Sequence, residues 1–106
     1  MYARVTTTQS QPDKADEAGR VIKDQVIPSA QQIAGFKGGL WLIDRASGKG
    51  LTVALYETQD ALRASDAAAA TIRQDAVNQL GADLVSVETY ELVGSAGLAE
   101  AITHPA

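Results

Sequence analysis

Arg4 stands in the middle of an apolar and β-branched stretch, Tyr2-Ala3-Arg4-Val5-Thr6-Thr7-Thr8. A guanidinium placed there can neutralise an enolate or a carboxylate as charge develops on it. It can equally pair with Glu88 or Glu91 across a sheet. Trp41 can stack on a flat aromatic molecule, with the phenol of Tyr56 facing the same space. The competing reading makes both of them core or interface aromatics. Tyr90, like Tyr2, is either a donor to a ligand or a satisfied interface hydroxyl. Arg4, Trp41, Tyr56 and Tyr90 are thus the ligand-binding candidates. No residue offers itself as a nucleophile or a general base, so the catalytic set stays unassigned.

Other chemistry is excluded by composition. The 106 residues contain no cysteine, which removes disulfides, thiolate catalysis and Cys-ligated metals. The single histidine, His104, sits in the C-terminal tail, so neither a two-His metal face nor an internal Ser/His/Asp triad can be built. A net charge of -4 supplies no basic field for a phosphate backbone, and nucleic acid is not an expected partner. Gly48-Lys49-Gly50 lacks the spacing and the following helix of a phosphate loop. No apolar run reaches the roughly 20 residues needed to span a bilayer. The N-terminus has no basic region followed by an apolar run, so no signal peptide is read and a cytoplasmic location is expected.

Local patterns place the candidates on elements. Tyr2 to Thr8 reads as a first strand. Ser10-Gln11-Pro12-Asp13 is a helix-start signal, and Ala15, Ala18, Ile22, Val26, Ala30 and Ile33 then recur at steps of three and four on one helical face. Pro28 predicts a kink or break near Ile27. Gly35 ends this helix. Phe36 to Asp44 and Leu51 to Glu57 are two strands joined by a Gly-rich turn, both apolar almost throughout. Gly38-Gly39 either opens room for a ligand or a bulge, or permits close backbone approach to the first helix or a partner. Thr58-Gln59-Asp60 caps a second helix, whose face is Leu62, Ala69, Ile72, Ala76 and Leu80 and which Gly81 ends. Asp83 to Val93 is the fourth strand.

The order β-α-β-β-α-β defines an α+β, ferredoxin-like domain over residues 1–95, with 96–106 as a C-terminal tail that holds a last helical turn at Leu98 to Ile102. A four-stranded antiparallel sheet with two helices on one face follows. The alternation sets Trp41 with Lys37, Ile43 and Arg45, and Tyr56 with Thr52 and Ala54; whether the two sets share a face depends on register. The face without helices is expected to carry Tyr, Trp and alternating Thr residues. A second copy of the chain is the economical cover for it, giving a homodimer.

A proline late in the first helix, then Gly35-Phe36-Lys37-Gly38 and a strand ending at Asp44, form one recognisable part of the chain. The other is an apolar strand running into Tyr56-Glu57-Thr58-Gln59-Asp60-Ala61-Leu62. Over about residues 2–94 the sequence resembles the dimeric α+β barrel superfamily, and within it the antibiotic biosynthesis monooxygenase-like proteins. Tyr56 stands where that pattern closes its third strand with an aromatic. The resemblance implies a homodimer that binds a small aromatic ligand and acts as an oxygenase without metal or flavin, on a polycyclic phenol or similar molecule. The alternative is a non-catalytic ligand-binding or stress-associated dimer. The superfamily's haem-degrading branch uses an asparagine on the first strand and a tryptophan and histidine along the second helix. Here the first strand offers Arg4, Thr6 and Thr8, no tryptophan lies near Ala64-Ser65, and Arg73-Gln74-Asp75 contains no histidine. Neither haem nor another cofactor is therefore expected.

Overall fold

The computed structural model describes residues 1–98. His104 and most of the helical turn expected at Leu98 to Ile102 lie outside the described residues.

Four strands form, β1 (Tyr2–Gln9), β2 (Phe36–Ile43), β3 (Lys49–Tyr56) and β4 (Asp83–Glu91), each within two residues of its sequence pattern. They make one antiparallel sheet in the order β2-β3-β1-β4. Between β1 and β2 run α1 (Ala15–Val21), a π-helical segment (Ile22–Val26) and α2 (Ile27–Gln31). Between β3 and β4 lie α3 (Gln59–Ala64) and α4 (Asp66–Leu80). This is the ferredoxin-like arrangement, with helices on one face of the sheet.

Three local expectations are modified. Ser10 does not cap the first helix; its hydroxyl donates to Gly48 O at 3.3 Å, and a 3₁₀ turn at Pro12–Lys14 leads into α1. Pro28 does not break the chain's helical course. The turn before it widens instead, and the Ile27 N–H reaches Ile22 O, five residues back. A wide turn removes the clash that a proline ring makes with the carbonyl four residues earlier. It also keeps Ile22, Val26 and Ala30, spaced by four, on the sheet-facing side. The helix after β3 is two helices with a joint at Ser65. Its ends match the sequence: Thr58 Oγ1 accepts the Ala61 N–H at 3.0 Å, and Gly81 closes α4 at φ 62° with Ala82 N–H bonded to Val77 O at 3.0 Å.

Strand register settles which side chains share a face. Toward the helices the sheet presents rows Phe36–Tyr56–Tyr2–Glu91, Gly39–Ala54–Arg4–Thr89 and Trp41–Thr52–Thr6–Val87. Trp41 and Tyr56 therefore share the helix-covered face, as do Thr6 and Thr8, contrary to the expectation that Trp and Thr residues mark the bare one. The bare face is aliphatic: Leu40, Leu42, Leu51, Val53 and Leu55, with Val5 and Ala3 beside them. Lys37 does not follow Trp41, because the register shifts between Phe36 and Gly38. Its Nζ lies 3.9 Å from Glu57. Arg45 lies past the end of β2 and pairs with Asp16 at 2.9 Å.

The loop from β2 to β3 is held by Asp44, whose carboxylate accepts from Ala46 N–H and the Ser47 hydroxyl, both at 3.0 Å. Gly48 lies at φ 80° with the Ser10 carbonyl packed against its Cα; a Cβ there would stand 2.0 Å from that oxygen. Gly48→Ala combines left-handed strain with a backbone overlap. We expect it to lower unfolding free energy by about 1–3 kcal/mol, read as a reduced urea midpoint with unchanged slope.

Candidate functional site

Among the described residues only seven apolar residues are buried, and four of them are alanines: Ala3, Ala15, Ala18 and Ala30. The larger residues that would fill the centre instead surround a cavity of about 140 Å³ between sheet and helices. Its walls are Ala18, Ile22, Val26 and Ala30 from the first helical stretch and Ala69, Ile72 and Ala76 from α4. Its floor includes Ala54 and Arg4, set between the aromatic row Phe36–Tyr56 and the row holding Trp41, with Gly39 next to Ala54 in the same row.

Gly39 shapes this floor. A Cβ on it would meet the Trp41 indole at 2.7 and 2.9 Å, so the ring occupies the space that the missing side chain leaves. Of the two roles open to Gly38-Gly39, Gly39 makes room, but for the chain's own indole, while Gly38 follows the register shift. Phe36 and Tyr56 pack edge to face, with centroids 5.9 Å apart and rings at 77°. Such a pair contributes about 0.5–1.5 kcal/mol beyond its area and fixes the Tyr56 ring, which is 1% exposed.

Arg4 is the polar centre. Its side chain is 5% exposed, yet it carries a full charge. Nη2 donates to Leu62 O at 3.0 Å, to Ser65 Oγ at 2.9 Å and to the Asp66 carboxylate. Nη1 donates to Tyr56 Oη at 3.3 Å, and the guanidinium carbon lies 5.3 Å from the Tyr56 ring centroid. The joint between α3 and α4 supplies these acceptors: Leu62 O belongs to the last turn of α3, where a cation also complements the helix dipole. Arg4 thus pairs with Asp66 on α4, not with Glu88 or Glu91. Its neighbours across the sheet are Ala54 and Thr89; Glu88 is opposite Val5, and Glu91 opposite Tyr2.

A second guanidinium, Arg73 on α4, lines the same cavity. Its pKa is lowered first by burial and then by the field of Arg4, with Asp66 acting in the opposite direction. Arg73 forms no ion pair among the described residues. Sequence reasoning missed both Arg73 and Asp66. The available signal was their spacing of seven on one helix, beside the apolar face formed by Ala69, Ile72 and Ala76.

Three of the four candidates, Arg4, Trp41 and Tyr56, meet around the cavity. Tyr90 does not. It lies opposite Ala3 on the bare face, 51% exposed, and its hydroxyl donates to Glu88 at 2.8 Å. That hydrogen bond and the carboxylate charge hold the phenol pKa above its usual value of 10.0. Tyr2 joins the Phe36–Tyr56 row and is not part of the cavity wall. No cluster of three or more His, Asp or Glu able to hold a metal occurs among the described residues. No described helix is long and apolar enough to cross a membrane.

This fold recurs in known structures. HapK from Hahella chejuensis superposes with a TM-score of 0.71 at 14% identity, over 91% of this chain and 96% of its own. A monooxygenase from the gene ActVA-Orf6 of Streptomyces coelicolor, solved with Nanaomycin D, gives 0.68 at 16% identity over 90% and 89%. An antibiotic biosynthesis monooxygenase-like protein of Deinococcus radiodurans gives 0.68 at 18% over 91% and 96%. The chain shares the fold of these antibiotic biosynthesis monooxygenase-like structures, the fold that its sequence resemblance implied. No family model matches it. In sequence it is similar to two uncharacterized proteins of Mycobacterium tuberculosis. Rv2558 is 40% identical over 76 residues, covering 72% of this chain and 32% of the relative. Rv2557 is 33% identical over 92 residues, covering 87% and 41%. The chain therefore spans 32% to 41% of the length of the curated relatives it matches.

Because the Trp41 indole fills the space above Gly39, Gly39→Ala must push the ring away from the strand. We expect a shift in the emission of this single tryptophan with the far-ultraviolet circular dichroism retained. An unchanged emission spectrum would mean that the ring does not rest on Gly39.

Proposed function

We propose that this domain binds a small aromatic anion in the cavity and oxidises it with molecular oxygen, without metal or flavin. The observation that carries this reading is the pair of guanidiniums, Arg4 and Arg73, on the wall of a largely apolar space. The space is comparable to the ~150 Å³ void that accepts benzene in an engineered core. It suits one ring, not the polycyclic phenol expected from sequence.

Charge explains how such a site would work. Two cations in a poorly solvated wall favour the anionic form of a bound phenol, lowering its pKa. Tyr56 Oη accepts from Arg4, which leaves its own O–H to donate to the ligand oxygen. The indole of Trp41 supplies a flat wall. The phenolate then gives electrons to oxygen in a space only partly open to water. One oxygen atom enters the ring opposite the hydroxyl. The other leaves as water with the phenol proton and the displaced ring hydrogen, so a phenol yields a para-quinone.

A second reading, ligand binding without turnover, is favoured by one specific feature. The ionisable groups lining the cavity are Arg4, Tyr56 and Arg73, and none of them is a base at neutral pH. Oxygen uptake by the metal-free protein, with one-ring phenols and no added cofactor, separates the readings. The oxygenase reading expects uptake with quinone formation. Trp41→Ala should reduce it. Ala76→Leu, which fills the cavity, should abolish it while leaving stability unchanged or raised by about 0.5–2 kcal/mol. Ligand binding without uptake would establish the second reading.

The bare sheet face bears on assembly. Leu42 is 54% exposed there, in one patch with Leu40, Leu51, Val53 and Leu55. We propose that this face packs against a second copy. Sedimentation equilibrium should give twice the chain mass, and Leu42→Glu should return it to that of one chain. A single-chain mass for the unmodified protein would refute the homodimer.

A further inference from the structure

Arg4, on the cavity wall, already holds a carboxylate, and that carboxylate is suited to leaving it. Arg4 is almost wholly inside the protein, whereas the Asp66 carboxylate bound to it is 66% exposed. A buried cation requires a counter-charge, but nothing requires that charge to be Asp66. The carboxylate can turn into water and regain its hydration at little cost, because a pair with one exposed member is weak. Arg4 also has capacity to spare. A guanidinium carries five donors; here only Nη1 and Nη2 bond to protein acceptors among the described residues, and Nε bonds to none. Arg73 lines the same wall, also without an ion-pair partner among the described residues.

We infer that Asp66 is an internal stand-in for the ligand, and that the ligand is a one-ring aromatic carboxylate whose acid group displaces Asp66 from Arg4. This rests on the aromatic-anion reading above and narrows its substrate class to aromatic acids that also carry the ring hydroxyl the oxidation requires, with benzoate as the non-reacting member that tests binding alone. The ring lies in the apolar cavity against Trp41, and the carboxylate takes the seat on Arg4 with Arg73 as its second cation. Asp66 then acts as a positioning residue that weakens binding. It keeps Arg4 neutralised while the cavity is empty, and it rejects ligands without a negative charge, which cannot replace it.

Benzoate and its neutral counterpart benzyl alcohol test this, with the emission of Trp41 as the signal. Asp66→Asn removes the competing charge and should tighten benzoate by about tenfold, with benzyl alcohol unaffected. Arg73→Gln should weaken benzoate in either background. Benzoate should also raise the melting temperature of Asp66→Asn more than that of the unmodified protein, since Arg4 then lacks a counter-charge until the ligand arrives. If Asp66→Asn folds poorly, Asp66→Ser repeats the comparison with an uncharged helix-start residue. Unchanged or weaker benzoate binding in these variants would overturn the stand-in role alone, as would equal tightening of both ligands. Failure of every one-ring anion to bind any variant would overturn the aromatic-anion reading itself, and the stand-in with it.

Discussion

Arg4 must hold a full charge where water barely reaches, and much of the domain follows from that constraint. An unpaired cation at this depth would cost several kcal/mol. The joint between α3 and α4 answers the requirement by offering the Leu62 carbonyl in the last turn of one helix, a hydroxyl at Ser65 and a carboxylate at the start of the next. Tyr56 completes the ring of partners from the sheet. One side chain on a central strand thereby pins both helices of the second half to β1 and fixes how far they stand from the sheet. The distance leaves a gap, and the residues facing it are too small to close it.

The gap is a property of side-chain size rather than of backbone irregularity. Ala18 and Ala30 on one helical stretch face Ala69 and Ala76 on the other, above Ala54. A core selected for stability alone would place leucine or isoleucine at several of these positions. The π-helical turn serves the same geometry, since it holds Ile22 and Val26 toward the cavity while accommodating Pro28. The ionisable and hydroxyl side chains lining this void are Arg4, Arg73, Tyr56, Thr6, Thr8, Ser10 and Thr52, without a carboxylate among them.

Strand and helix order was legible because alternation and capping signals are local. Thr58, Gly81 and the Gly-rich turn after Asp44 each act within a few residues of themselves. Pairing across the sheet was not legible. The shift at Phe36–Gly38 decides the side on which Lys37 lies, and it depends on β3, not on β2. For the same reason it stayed open whether Trp41 and Tyr56 share a face, and the assignment of the bare face to Trp and Thr failed. The partner of Arg4 was missed on different grounds. Glu88 and Glu91 looked suitable on a neighbouring strand, but the guanidinium reaches past the sheet to a helix joint that periodicity had read as continuous. Arg73 was hidden by its position, a long polar side chain beside an apolar stripe, which on an isolated helix reads as surface.

The strands that floor the cavity also form the bare aliphatic face, one pleat away. Trp41 alternates with Leu40 and Leu42, and Thr52 and Ala54 alternate with Leu51, Val53 and Leu55. A molecule in the cavity and a partner on the opposite face would press on the same backbone from its two sides. Where one changes the affinity of the other, thermodynamic linkage makes the effect mutual and equal in size. Occupancy of the cavity would then be sensed as a change in how strongly the domain associates, with a single layer of sheet as the transmitting element.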